Sequence, residues 1–117
     1  MRSLIILKKS ITGAIILLPV LWLCSCQRDE SIALSPLATL GKGKYMANCT
    51  ACHNPNPRLA GSVGPAIAGP SLELITARIM HQTYPRGYKP KQNSNLMPPL
   101  PFLERDIPAL HAFLNSF

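Results

Sequence analysis

At 117 residues the chain has room for one domain, and its 12 Lys and Arg against 5 Asp and Glu give a formal net charge of +7. Arg2, Lys8 and Lys9 sit at the extreme N-terminus, so the remainder is only mildly basic, a balance that suits acidic partner surfaces. No Lys/Arg run is interleaved with aromatics, and Glu73, Glu104 and Asp106 are too scattered to form an acid–base pair, so neither nucleic-acid binding nor turnover of a small-molecule substrate is expected.

The opening segment reads as an address rather than as structure. Met1 to Ser10 carries the three bases and Ile11 to Leu23 is almost wholly apolar, shorter than the ~20 residues a membrane-crossing helix needs. A basic stretch before a short apolar one is the pattern of a secretory signal. Leu23-Cys24-Ser25-Cys26 then resembles a bacterial lipobox, and Cys26 suits acylation better than Cys24, which follows the bulky Trp22 and Leu23. The resemblance implies a signal peptide over 1–25 and a lipid on Cys26 that anchors the protein in the bacterial cell envelope, facing the periplasm. An uncleaved anchor or plain secretion is the alternative. By resemblance to Gram-negative lipoprotein sorting, Gln27, standing where an Asp would favour the inner membrane, mildly favours the outer one. Residues 26–36 are polar and then small and read as a tether, leaving 37–117 as the domain.

Leu37 to Asn48 is the first expected helix, with Leu37, Leu40 and Tyr45 sharing a face and Gly41 and Gly43 lowering its propensity. It runs into Cys49-Thr50-Ala51-Cys52-His53, a Cys-x-x-Cys-His run that is the attachment signature of a c-type haem. Two thiols on one turn face one porphyrin edge, and the next residue offers an imidazole to the iron. Cys-x-x-Cys alone also serves zinc sites and thiol oxidoreductases. A zinc ribbon needs a second ligand pair, however, and no cysteine follows Cys52. A structural Cys49–Cys52 disulfide leaves the adjacent His53 without a purpose. The cysteine count agrees: with Cys24 removed, Cys26 acylated and Cys49 and Cys52 on haem, none of the 4 remains for a disulfide.

Residues 54–70 hold Pro55, Pro57, Gly61, Gly64, Pro65, Gly69 and Pro70 and are expected to be loop. Ser71 is a good N-cap, Glu73 suits the first turn, and Leu72, Ile75 and Ile79 lie at helical spacing, predicting a helix over Leu72 to His81. Thr83 to Pro101 is irregular again. A last helix is expected near Glu104 to Asn115 with Ile107, Leu110, Phe113 and Leu114 on its apolar face; Pro108 is harmless there if Asp106 is the N-cap. The fold class is therefore all-α, with about three helices and no strands. A domain this small buries little apolar surface of its own, and one covalently bound haem c would complete its core.

These features resemble a class I cytochrome c, over about Leu40 to Leu114. Gly41-Lys42-Gly43-Lys44-Tyr45 is similar to the family's first helix and Ala109-Leu110-His111-Ala112-Phe113-Leu114 to its last. The resemblance implies that these helices cross, with Gly41 touching Phe113. Gly64-Pro65-Ala66-Ile67-Ala68-Gly69 resembles the family's Gly-Pro-x-Leu-x-Gly loop, which implies that the Pro65 carbonyl accepts the Nδ1–H of His53. Met97-Pro98-Pro99 resembles the ligand loop, which implies Met97 as the second iron ligand beside His53; Met46 lies too close before Cys49, and Met80 sits at helical spacing as core filler. Tyr84, Arg86, Tyr88, Lys89 and Arg58 are candidates to hold the haem carboxylates. The implied function is single-electron transfer between redox-protein donors and acceptors in a respiratory or related chain, as a carrier rather than an enzyme. The alternatives are a ligand-binding or peroxidatic haem protein with a labile sixth site, and a haem subunit of a larger dehydrogenase or oxidase.

Overall fold

The computed structural model describes residues 33–117. The expected signal peptide, Cys26 and the tether up to residue 32 lie outside the described residues. Helix α1 spans Pro36–Asn48, α2 Leu72–His81 and α3 Ile107–Leu114, with a short 3-10 helix at Pro101–Asp106 leading into α3. The described residues include no strand, and none of their helices is long and apolar enough to cross a membrane. The chain is small and helical, as expected.

Helix α1 starts where Ser35 Oγ accepts a hydrogen bond from the Ala38 amide at 3.1 Å and Pro36 fills the first turn. Its buried face differs from the expected one. Ala38, Gly41 and Tyr45 are buried, whereas Leu37 and Leu40 are 47% and 65% exposed. The reason is the closeness of α3: a Cβ on Gly41 would overlap the Ala109 carbonyl, so only small residues fit at this crossing. Gly41 thus meets the backbone at Ala109 and Leu110, and the Phe113 ring, one turn further along α3, lies tilted 50° against Tyr45 with ring centroids 5.3 Å apart. The Lys44 ammonium and the Asp106 carboxylate, 3.0 Å apart, join the same two segments at the surface.

Helix α2 has the predicted bounds. Ser71 Oγ caps the Leu74 amide at 3.1 Å and Glu73 occupies the first turn. Ile75 and Ile79 are buried, while Leu72 is half exposed. Helix α3 begins later than Glu104, because residues 101–106 wind as a 3-10 helix. Pro108 lies in its first turn, where a missing N–H is harmless. Asp106 flanks the helix but makes no capping bond, its carboxylate being engaged by Lys44. Ile107, Leu110, Phe113 and Leu114 are all buried as expected. Asn115 Nδ2 donates to the Pro70 carbonyl at 3.0 Å and the Gly69 amide to the Leu114 carbonyl at 2.8 Å, so the end of α3 fixes the entrance to α2.

Candidate functional site

The three helices and the two long loops line a partly open cavity of about 510 Å³, within the range of roughly 300–1,000 Å³ usual for cofactor and ligand sites. Leu74, Ile75, Arg78 and Ile79 on α2, Leu103 before α3, and Leu110 and Leu114 on α3 make up much of one wall. Cys49, Cys52, His53, Pro65 and Met97 all line this one cavity. Residues expected to act together from distant parts of the sequence are therefore gathered around a common space.

Local hydrogen bonding explains the placement of the motif. Helix α1 stops at Cys49, whose amide still reaches the Tyr45 carbonyl at 2.9 Å. The Cys49 carbonyl then accepts from the Cys52 amide at 3.2 Å and the His53 amide at 2.9 Å, winding Cys49, Cys52 and His53 onto one turn. The Cys52 carbonyl accepts in turn from the amides of Val63 and Gly64, at 3.2 and 2.9 Å, folding the following loop back over the motif. The buried Pro57 holds the loop's far arm, its carbonyl accepting from Ile67 and Ala68 at 2.8 and 3.0 Å.

The loop ends as a seat for the histidine. His53 is buried, and its Nδ1 lies 3.0 Å from the Pro65 carbonyl oxygen. A carbonyl only accepts, so Nδ1 carries the proton and the lone pair of the neutral ring sits on Nε2. The ring lines the cavity, and Nε2 is the nitrogen with a lone pair to offer. Gly64 packs flat on the imidazole: a Cβ there would lie 2.6 Å from Nδ1 and 2.9 Å from Nε2. Tyr45, fully buried, donates its hydroxyl to the Asn54 carbonyl at 2.7 Å and pins the residue after His53. Burial, with the neighbouring Cys49 second, pushes the Tyr45 hydroxyl up to about 12.

No disulfide joins Cys49 and Cys52. Burial, and then the charge of Cys52, pushes the Cys49 thiol up to about 11. A dithiol oxidoreductase needs the opposite, a cysteine held as thiolate near neutral pH. Among the described residues no group of three or more His, Cys, Asp or Glu comes together to hold a metal ion, so the ligand set of a closed zinc site is not assembled there.

Of the methionines in residues 33–117, only Met97 lines the cavity. Met80 packs against the hydrophobic core, and Met46 is exposed beside a separate cleft near Phe117. His81 and His111 are also absent from the cavity wall. The charged side chains of that wall are Arg78 and Lys91, both cationic. Tyr84 and Tyr88 line it, their rings stacked 5.5 Å apart and 6° from parallel, with the Arg78 guanidinium 4.4 Å over Tyr84. Arg86, Lys89 and Arg58, the other expected carboxylate holders, do not line the cavity, and Arg58 instead lies 5.6 Å over the Phe117 ring. Arg78 escaped the sequence reading although it shares the Ile75 and Ile79 face of α2, a periodicity that marks it as inward. Lys91 has no local signal; its Nζ reaches the cavity edge by donating to the Ala66 carbonyl at 2.8 Å.

The chain matches no family model, no curated protein sequence and no solved structure.

Proposed function

We propose that the protein carries single electrons through one haem c attached at Cys49 and Cys52. The observation that carries this reading is the seat of His53: a buried, cavity-lining imidazole in a Cys-x-x-Cys-His run, its Nδ1 held by the Pro65 carbonyl, which leaves Nε2 as the free donor. The donor set, the cavity's size and its apolar wall fit a porphyrin, with the cationic Arg78 and Lys91 available for carboxylates. Bound there, the group supplies an iron centre that gains and loses one electron.

The residues divide the remaining work. Cys49 and Cys52 tether the group, so that it stays with the chain in either oxidation state. The Pro65 carbonyl fixes the His53 tautomer and raises the basicity of Nε2. Met97, a neutral sulfur donor from the same cavity, favours the lower charge of the reduced state, and so does the apolar wall. With a lipid on Cys26, the domain would hang by its tether from a bacterial envelope membrane, facing the periplasm, and exchange electrons with acidic redox partners.

The test is covalent attachment. Full chain made in a host that matures c-type cytochromes, then denatured and acid-extracted, is expected to stay coloured and to weigh one haem more than the bare polypeptide. Colourless protein at the bare mass overturns the proposal.

A further inference from the structure

The last turn of α2 is unusual in one respect. Gln82, its C-cap, has φ 58° and ψ 23°, and it is the one residue other than glycine with positive φ among the described residues. Glycine is the ordinary choice at such a position, because any Cβ strains the left-handed backbone. A side chain kept there against that cost points to a use for the side chain. Gln82 Nε2 donates to the Asn95 carbonyl at 2.8 Å, across the whole of the intervening loop. The rest of the residue is braced as well, since its amide reaches the Ala77 and Arg78 carbonyls and its own carbonyl accepts from Arg78 Nη1 at 2.9 Å.

A second tie closes the same segment from its other end. The Leu100 amide donates to the Ile79 carbonyl at 2.6 Å. Met97 lies between these two ties, beside Pro98 and Pro99, which have no N–H to offer to any other anchor. Both ties end on the final turn of α2, whose buried Ile79 is part of the core. The segment is therefore a short bridge fastened at each end to a rigid support, with its methionine lining the cavity.

We infer that Gln82 is a positioning residue for Met97: its amide clamps the loop at Asn95 and so limits how readily the sulfur leaves the iron. This rests on the proposed function, which makes Met97 a ligand. Exogenous imidazole competes for the site that Met97 occupies, and its apparent affinity scales with the fraction of protein in which that site is open.

The test uses full-length ferric holoprotein titrated with imidazole, with thermal melts alongside. Gln82→Met keeps the length and unbranched shape of the side chain and removes the donor. Gln82→Lys keeps a donor of similar reach. Loss of one neutral hydrogen bond is expected to tighten imidazole binding about three- to tenfold in Gln82→Met, while Gln82→Lys stays within about twofold of wild type. Equal affinities in wild type and Gln82→Met, in a wild type that shows the near-infrared charge-transfer band of sulfur ligation, overturn the clamp alone. Equal tightening in both variants overturns it too, because the effect would then follow the backbone position and not the donor. A wild type without that band removes Met97 from the iron, and the clamp's role with it.

Discussion

Gly64→Ala tests the histidine seat most directly. The backbone at Gly64 does not have positive φ, so alanine adds no conformational strain, and the whole effect comes from what its methyl meets. That methyl would lie 2.6 Å from His53 Nδ1, whereas unstrained contacts run at about 3.5–4.0 Å, so ring and loop must part by about 1 Å. Displaced off that face, the ring keeps its Nδ1 contact to Pro65, now 3.0 Å, only in a longer and misaligned form. Weakening that bond costs up to about 1.5 kcal/mol and overpacking adds about 1–3, for about 2–4 kcal/mol in all. In a domain of this size each kcal/mol lowers the melting temperature by roughly 4–8 °C, so the drop should be on the order of 10–30 °C. Holoprotein is melted while its visible absorbance is recorded, and the displaced ring should also perturb the spectrum. A variant that melts within about 3 °C of wild type, with an unchanged spectrum, would refute the argument that Gly64 is small because the imidazole lies on it.

Two other glycines give opposite expectations. Gly41→Ala places a methyl in the Ala109 carbonyl and, because a backbone cannot swing aside as a side chain can, should cost at least about 3 kcal/mol; Gly43→Ala meets nothing within 4 Å and should stabilise by about 0.5–1 kcal/mol through helix propensity. Denaturant midpoints of the pair decide it, and similar shifts for both would count against the close helix crossing. Tyr45→Phe keeps the ring contact with Phe113 but strands the Asn54 carbonyl, at an expected cost of about 1–2 kcal/mol. Because burial raises the Tyr45 hydroxyl from 10.0 to about 12, its contribution is complete below pH 10 and lost as pH rises through 12. The gap between wild-type and Tyr45→Phe melting temperatures should close over that window. On the proposed ligation, Met97→Ala should abolish the near-infrared band of sulfur ligation and lower the reduction potential. An unaltered spectrum would take Met97 out of the coordination sphere.

Much of the helical framework was legible because its signals are short-range. Ser71 and Glu73 announce the start of α2 within one turn, prolines and glycines interrupt 54–70 and 83–100, and Ile107, Leu110, Phe113 and Leu114 sit on one helical period. The buried side of α1 was not legible. Leu37 and Leu40 look like core residues by hydropathy, yet a backbone-to-backbone approach at Gly41 rotates them outward and buries Ala38 instead. Within the site, Cys49, Cys52 and His53 were visible from spacing, and Pro65 and Met97 from resemblance. Arg78, Lys91 and Gln82 were not singled out, although Arg78 shares the inward period of α2.

The amino-acid order alone determined the helices, their breaks and the Cys-x-x-Cys-His turn, because each depends on residues within about one helical turn of each other. Only the tertiary structure decided that Pro65 meets His53, that Met97 rather than Met46 or Met80 faces the same cavity, and that Gln82 reaches Asn95. Those contacts join positions 12 or more residues apart. Which of them form depends on how α1 and α3 pack and where the two loops can close, and no local preference along the chain encodes that.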